Sequence, residues 1–196
     1  MAERDREKRG RKLLLTLLVV GVVGSLAGIG TFSAFSSTTS NDGNTFAAGT
    51  VYIHDNDLGA AMYNVTDAKP GDTTTACITV TYDGTLPAVV RLYSSAIAAP
   101  LAQYVDLTVE EGTGSPAFGD CTGFTPSGTV FSGTLDAMPN DFASGIATNG
   151  AANWTTGDSV DYRFTLTLQD DNNANGQAAG PLSVPAHSFY WEAQNA

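Results

Sequence analysis

Few side chains in this sequence could do chemistry: two histidines, His54 and His187, two cysteines, Cys77 and Cys121, and a surplus of carboxylates. His54 stands beside Asp55 and Asp57, which looks like part of a metal site. A zinc peptidase needs two helical histidines and a Glu base, and no His-Glu-x-x-His occurs. His187 falls on the apolar face of a predicted strand, the setting of a hydrogen-bonded structural histidine. No Gly-x-Ser-x-Gly elbow offers a nucleophile, and no glycine-rich loop opens a helix to cradle phosphate. No catalytic residue and no enzyme activity are expected.

One run has the oxygen chemistry of calcium. Asp171-Asn172-Asn173-Ala174-Asn175-Gly176 opens like an EF-hand loop, with Asp171, Asn173 and Asn175 at ligand positions. The twelfth position should be a bidentate Glu and is Leu182, so calcium would bind weakly at best. The plainer reading is a polar hairpin tip, and no other cofactor is expected. Asn64-Val65-Thr66 and Asn153-Trp154-Thr155 match the N-glycosylation acceptor pattern, which matters only in a host that glycosylates. Neither cysteine has a neighbouring histidine or a Cys-x-x-Cys partner. In a chain bound for an oxidising space, Cys77 and Cys121 are expected to form a disulfide, with two separate thiols as the alternative.

That destination is written in the first 50 residues. The head, Met1–Lys12, holds six basic residues against Glu3, Asp5 and Glu7, a net charge of +3 that stays cytoplasmic. Leu13–Gly30 carries no charge, and small residues follow it. Charged head, apolar core and small exit describe a secretory signal peptide, with cleavage expected between Ala34 and Phe35. The apolar run could reach ~27 Å as a helix, so an uncleaved membrane anchor stays open as the alternative.

Beyond the leader only Lys69, Arg91 and Arg163 oppose seventeen acidic residues, a net charge of −14. Such a surface repels nucleic acid and anionic membranes, so neither is expected as a partner. Membrane contact is expected only through the N-terminal apolar segment.

The elements behind the leader read as strands. Val160, Tyr162, Phe164, Leu166 and Leu168 alternate with polar residues; so do Ile78, Val80 and Tyr82, then Val105, Leu107 and Val109. His187, Phe189, Trp191 and Ala193 alternate with Ser188, Tyr190, Glu192 and Gln194. Further strands are predicted at Phe46–His54, Pro87–Tyr93 and Thr129–Leu135. Lys69-Pro70-Gly71-Asp72, Asp83-Gly84, Gly112–Pro116 and Asn175-Gly176 mark turns. Seven or so short strands imply an all-β fold, an antiparallel β-sandwich. One short helix is predicted over Asp136–Ile146. The domain reading is residues 1–34 as signal peptide, 35–45 as an extended segment and 46–196 as the sandwich.

Three pieces carry a family resemblance: Gly30-Thr31-Phe32-Ser33-Ala34-Phe35 followed by Asn44-Thr45-Phe46-Ala47-Ala48-Gly49-Thr50-Val51; Lys69-Pro70-Gly71-Asp72 followed by Asp83-Gly84-Thr85-Leu86; and Phe189-Tyr190-Trp191-Glu192-Ala193-Gln194. Their order and spacing resemble the TasA/camelysin family. The resemblance implies a jelly-roll-like sandwich, Sec export, and cutting by a SipW-type signal peptidase as a processing partner. It implies a secreted subunit of extracellular, biofilm-matrix fibres, a homopolymer in some members through donor-strand exchange by the freed N-terminal segment. Phe35–Asn44 can extend ~33 Å, enough to lie along a sheet edge, although it lacks apolar alternation after Phe35. Phe35 and Phe46 are the aromatics expected to serve assembly. A monomeric, membrane-anchored cell-surface binding domain is the competing expectation, and a camelysin-type metalloprotease the third.

Overall fold

Period-two alternation buries one face of each strand, and here eight strands supply two such faces. The computed structural model describes residues 10, 12–20, 47–114, 117–175 and 182–196. Its strands are β1 (Ile53–Asp55), β2 (Thr73–Tyr82), β3 (Ala88–Ser94), β4 (Val105–Thr113), β5 (Thr125–Thr134), β6 (Ile146–Ala147), β7 (Ser159–Leu168) and β8 (Phe189–Asn195). They form two antiparallel sheets, ordered β1-β2-β7-β4-β5 and β6-β3-β8. The chain divides into two units, Met1–Ala47 and Ala48–Ala196, the second holding both sheets. In the first, residues 12–20 are helical with exposed leucines and valines. Among the described residues, no helix is long and apolar enough to cross a membrane.

The core lies between the sheets. Ile78, Val80 and Tyr82 of β2, Leu107 and Val109 of β4, and Tyr162 and Phe164 of β7 face Ala88, Val90 and Leu92 of β3. Each large apolar side chain fully withdrawn from water contributes about 1.5–3 kcal/mol. Trp154 is completely buried beside β3: its N–H and C=O bond Ala88, and its indole N–H donates to Thr148 Oγ1 at 3.2 Å. The face expected to be wet on β7 is interrupted by Asp161, which is buried and accepts the Thr79 hydroxyl at 2.5 Å.

Two elements depart from the sequence reading. In place of a helix over Asp136–Ile146 there is a 3-10 turn at Leu135–Ala137. Pro139 holds Met138 extended, and the Asp136 carboxylate accepts the Thr134 hydroxyl instead of capping backbone N–H groups. Ile146 then pairs with Leu92, making β6, a strand too short to predict. The strand expected over Phe46–His54 survives only as Ile53–Asp55, because Thr50 bends around the Asp83–Leu86 turn. Its carbonyl accepts Thr85 and Leu86 N–H groups, and Tyr52 O accepts Asp83 N–H.

Cys77 and Cys121 are joined by a disulfide, Cα–Cα 5.2 Å. It ties the loop before β5 across the outer face of the larger sheet, where Gly119 N–H also donates to Cys77 O at 2.8 Å. Beside Cys77, Arg163 lies over the Phe124 ring, 4.8 Å to its centroid, and bonds Glu110 at 2.6 Å.

Candidate assembly edge

Of the four sheet edges, three are poor templates for another strand. β1 has three residues and β6 has two. β5 is long, but Pro126 interrupts it and its register against β4 slips twice, between Val109 and Glu110 and between Glu111 and Gly112. Such bulges and prolines blunt an edge. At the second slip a Cβ on Gly112 would collide with the Thr125 carbonyl oxygen and the Phe124 ring, so only glycine fits.

The fourth edge is β8, seven residues with no proline and no bulge. Among the described residues it pairs with β3 alone. Ser95 N–H donates to Ser188 O and Ala196 N–H to Pro87 O, which fixes the hydrogen-bonding phase. Antiparallel pairs alternate, so Tyr190, Glu192 and Gln194 bond β3 while Phe189, Trp191, Ala193 and Asn195 turn their N–H and C=O groups outward. Among the described residues no backbone partner meets those outward groups.

The core is thin at the same place. The inward side chains of β3 are fully buried, yet Phe189, Trp191 and Ala193 are only half-buried. Phe189 packs on Phe164 with ring centroids 4.7 Å apart, and Trp191 on Tyr162 at 5.2 Å. The Trp191 indole N–H and Tyr162 hydroxyl are enclosed without a hydrogen bond of ordinary geometry. Burial, then the charge of Glu111, pushes the Tyr162 hydroxyl far above a tyrosine's usual range. A cleft of about 160 Å³ opens between β1 and β8, lined by Ile53, His54, Asp55, Val80, Phe189, Tyr190 and Trp191.

Strand order explains the opening. An eight-stranded jelly roll is two four-stranded sheets of linked Greek keys. Among the described residues 2-7-4-5 is complete, whereas 6-3-8 lacks the fourth member that would flank β8. The first strand would take that place, but β1 bonds β2 instead, Ile53 opposite Tyr82.

The other sequence candidates lie around this edge or away from it. His187 precedes β8; its Nε2 bonds the Tyr63 hydroxyl and its Nδ1 the Pro185 carbonyl. It fastens the loop after β1 to the start of β8, the structural role read from the sequence. His54 is exposed and pairs with Asp83 at 3.5 Å. Partial burial raises the Asp55 carboxyl, whose Oδ1 accepts Asp57 N–H. Asp171 Oδ1 accepts Asn173 N–H at 2.7 Å, closing a turn ahead of a 3-10 segment at Asn172–Asn175; the Asn175 side chain lies outside the described residues. Ala34, Phe35 and Phe46 also lie outside them. Sequence reasoning marked the apolar face of β8 but not its open flank, because pairing partners are a property of topology.

On the outer face of β8, Tyr93 donates to Glu192 Oε2 at 2.7 Å and its ring lies tilted against Tyr190, centroids 5.3 Å apart. Hydrogen bonds from Gln194 and Tyr93 lower the Glu192 carboxyl, and that same bond first, then burial, pushes the Tyr93 hydroxyl up to about 12. A depressed carboxyl stabilises the fold above its unfolded pKa, and this contribution disappears as pH falls through the folded value. The raised phenol stabilises below ~10 and loses that contribution as pH climbs toward its folded value. Tyr93→Phe is therefore expected to raise the Glu192 pKa in an NMR titration and remove the alkaline part of the stability loss. An unmoved Glu192 would refute the coupling.

In comparison with known proteins, residues 10–96 fit the family model described as camelysin metallo-endopeptidase. No curated protein matches the chain.

Proposed function

We propose, from the premise that residues 10–96 carry camelysin-family sequence and so bear out the TasA/camelysin resemblance, that this is an exported structural subunit whose free N-terminal segment completes the β8 edge of another copy. The observation that carries the reading is the seven-residue flank of β8, with outward backbone groups and half-buried Phe189, Trp191 and Ala193. An added strand would satisfy those groups, extend over the thin core and fill the cleft beside β1. Phe35–Asn44, released by cleavage after Ala34 by a SipW-type signal peptidase, is long enough to span it. A head-to-tail contact that does not close on itself builds a filament. The setting is extracellular, on the cell surface or in a biofilm matrix.

Two variants test this on purified, processed protein by negative-stain microscopy and circular dichroism. Deleting Phe35–Asn44 is expected to abolish filaments and leave the β spectrum intact. Ala193→Pro removes an outward N–H without breaking the β3 ladder, and is expected to do the same. Filaments that persist in either folded variant would overturn donor-strand assembly; solitary particles of the unaltered mature protein would favour the anchored monomer.

The family description also names a metallo-endopeptidase, which implies a metal centre. Among the described residues no group of three or more His, Cys, Asp or Glu is placed to hold a metal ion, so these residues do not fit such a centre. The reading proposed here, which rests on the open β8 edge, is of a structural rather than a catalytic subunit. Chelator-sensitive peptide hydrolysis by the pure protein would overturn that.

A further inference from the structure

We propose that Asn64 is a site of N-glycosylation and that Asn153, which carries the same sequence signature, is not. Both sequons read alike in sequence, and their surroundings differ sharply. Asn64, Val65 and Thr66 are all exposed, Val65 at 51%, in irregular backbone between β1 and β2. Among the described residues, none of the three makes a hydrogen bond through backbone or side chain. The following residue, Asp67, has a positive φ of 54°, and the next strand begins only at Thr73. The Asn64 amide and the Thr66 hydroxyl are both free to enter a transferase.

The second sequon is locked. Trp154 at its centre is 0% exposed and exchanges both backbone hydrogen bonds with Ala88, 2.7 and 3.0 Å. The Thr155 N–H and hydroxyl are both spent on Asp158 Oδ2, at 2.7 and 3.1 Å. Asn153 is exposed but cannot bend with Thr155 into an acceptor turn without extracting Trp154 from the core.

The donor is an oligosaccharide carried on a lipid phosphate at the outer side of the membrane, so the inference rests on the export proposed above. Asn64 Nδ2 forms a bond to the anomeric carbon and the anomeric C–O bond breaks. The lipid phosphate leaves with the electron pair, and the amide proton passes to a base of the transferase. The attached glycan would stand one residue from Tyr63, which holds His187 just before β8. It would therefore stand near the end of the open edge, where His187 precedes β8.

The test is peptide mapping of the exported protein from its own cells. The peptide with Asn64 is expected to carry a glycan mass increment, and the peptide with Asn153 none. Asn64→Gln and, independently, Thr66→Val are expected to remove the increment from the intact mass while filaments still form. Exported protein with bare Asn64, an increment on Asn153, or an increment retained in both variants would overturn the assignment. Each of those outcomes leaves the filament result readable by itself, so failure of this site and failure of the assembly reading are distinguishable.

Discussion

Replacing Cys77 and Cys121 together by alanine is expected to lower unfolding stability by roughly 4 kcal/mol, the chain-entropy contribution of closing a 44-residue separation. For a domain of this size that is a melting point lower by roughly 10 °C. The cost arises mainly in the unfolded chain, which regains the freedom the bridge removed. A second contribution is local. Cys77 is fully buried, and the bridge holds the loop that shields it and brings Phe124 against Arg163. Thermal unfolding of the double variant against the oxidised parent measures the effect, and the parent under reducing conditions supplies a second unbridged sample to set beside the variant. The two should coincide. A double variant as stable as the oxidised parent would mean that the loop is held by the Gly119–Cys77 hydrogen bond and the Arg163–Phe124 contact alone.

Trp154→Ala is expected to cost ~3–5 kcal/mol, the range for emptying a buried aromatic site. The side chain is wholly enclosed, and its indole N–H donates to Thr148 Oγ1, which itself donates to Val90 O at 2.9 Å. Truncation therefore opens a cavity and removes one link of a buried relay at once. Trp154→Phe separates the two: it refills most of the volume and leaves Thr148 without its donor, an expected loss nearer ~1 kcal/mol. Denaturant unfolding of both variants checks the order. Equal losses would show that the hydrogen bond, not the cavity, dominates.

Much of this fold could be read in the chain before the strands were seen paired. β2, β4 and β7 announce themselves because each presents a one-sided apolar row to the same core, and residues 78–82, 105–109 and 160–168 keep strict alternation. β6 is two residues long and owes its existence to pairing with Arg91 and Leu92, which no local pattern encodes. Residues 47–52 are apolar enough for a strand but are claimed by the turn at Asp83–Leu86. The burial of Asp161 on a face expected to be wet, and of Glu111 in phase with Val109 on β4, comes from neighbours distant in sequence: Thr79 for Asp161, and the Asn149 N–H for Glu111. The candidate edge was half legible. The alternation of Phe189, Trp191 and Ala193 predicted which side faces inward, but openness depends on β1 choosing β2 over β8, a contest between long-range pairings.

The blunted margin of β5 sets the dimensionality of anything these molecules could build. Stacking without limit, as in cross-β deposits, requires a receptive border on either side of every layer. Pro126 and the twin slips of register close one border, and the brevity of β1 and β6 closes two more, leaving β8 as the docking strip among the described residues. Growth through that strip alone would run along one line and in one direction, so thickening into plaques would need some other chemistry.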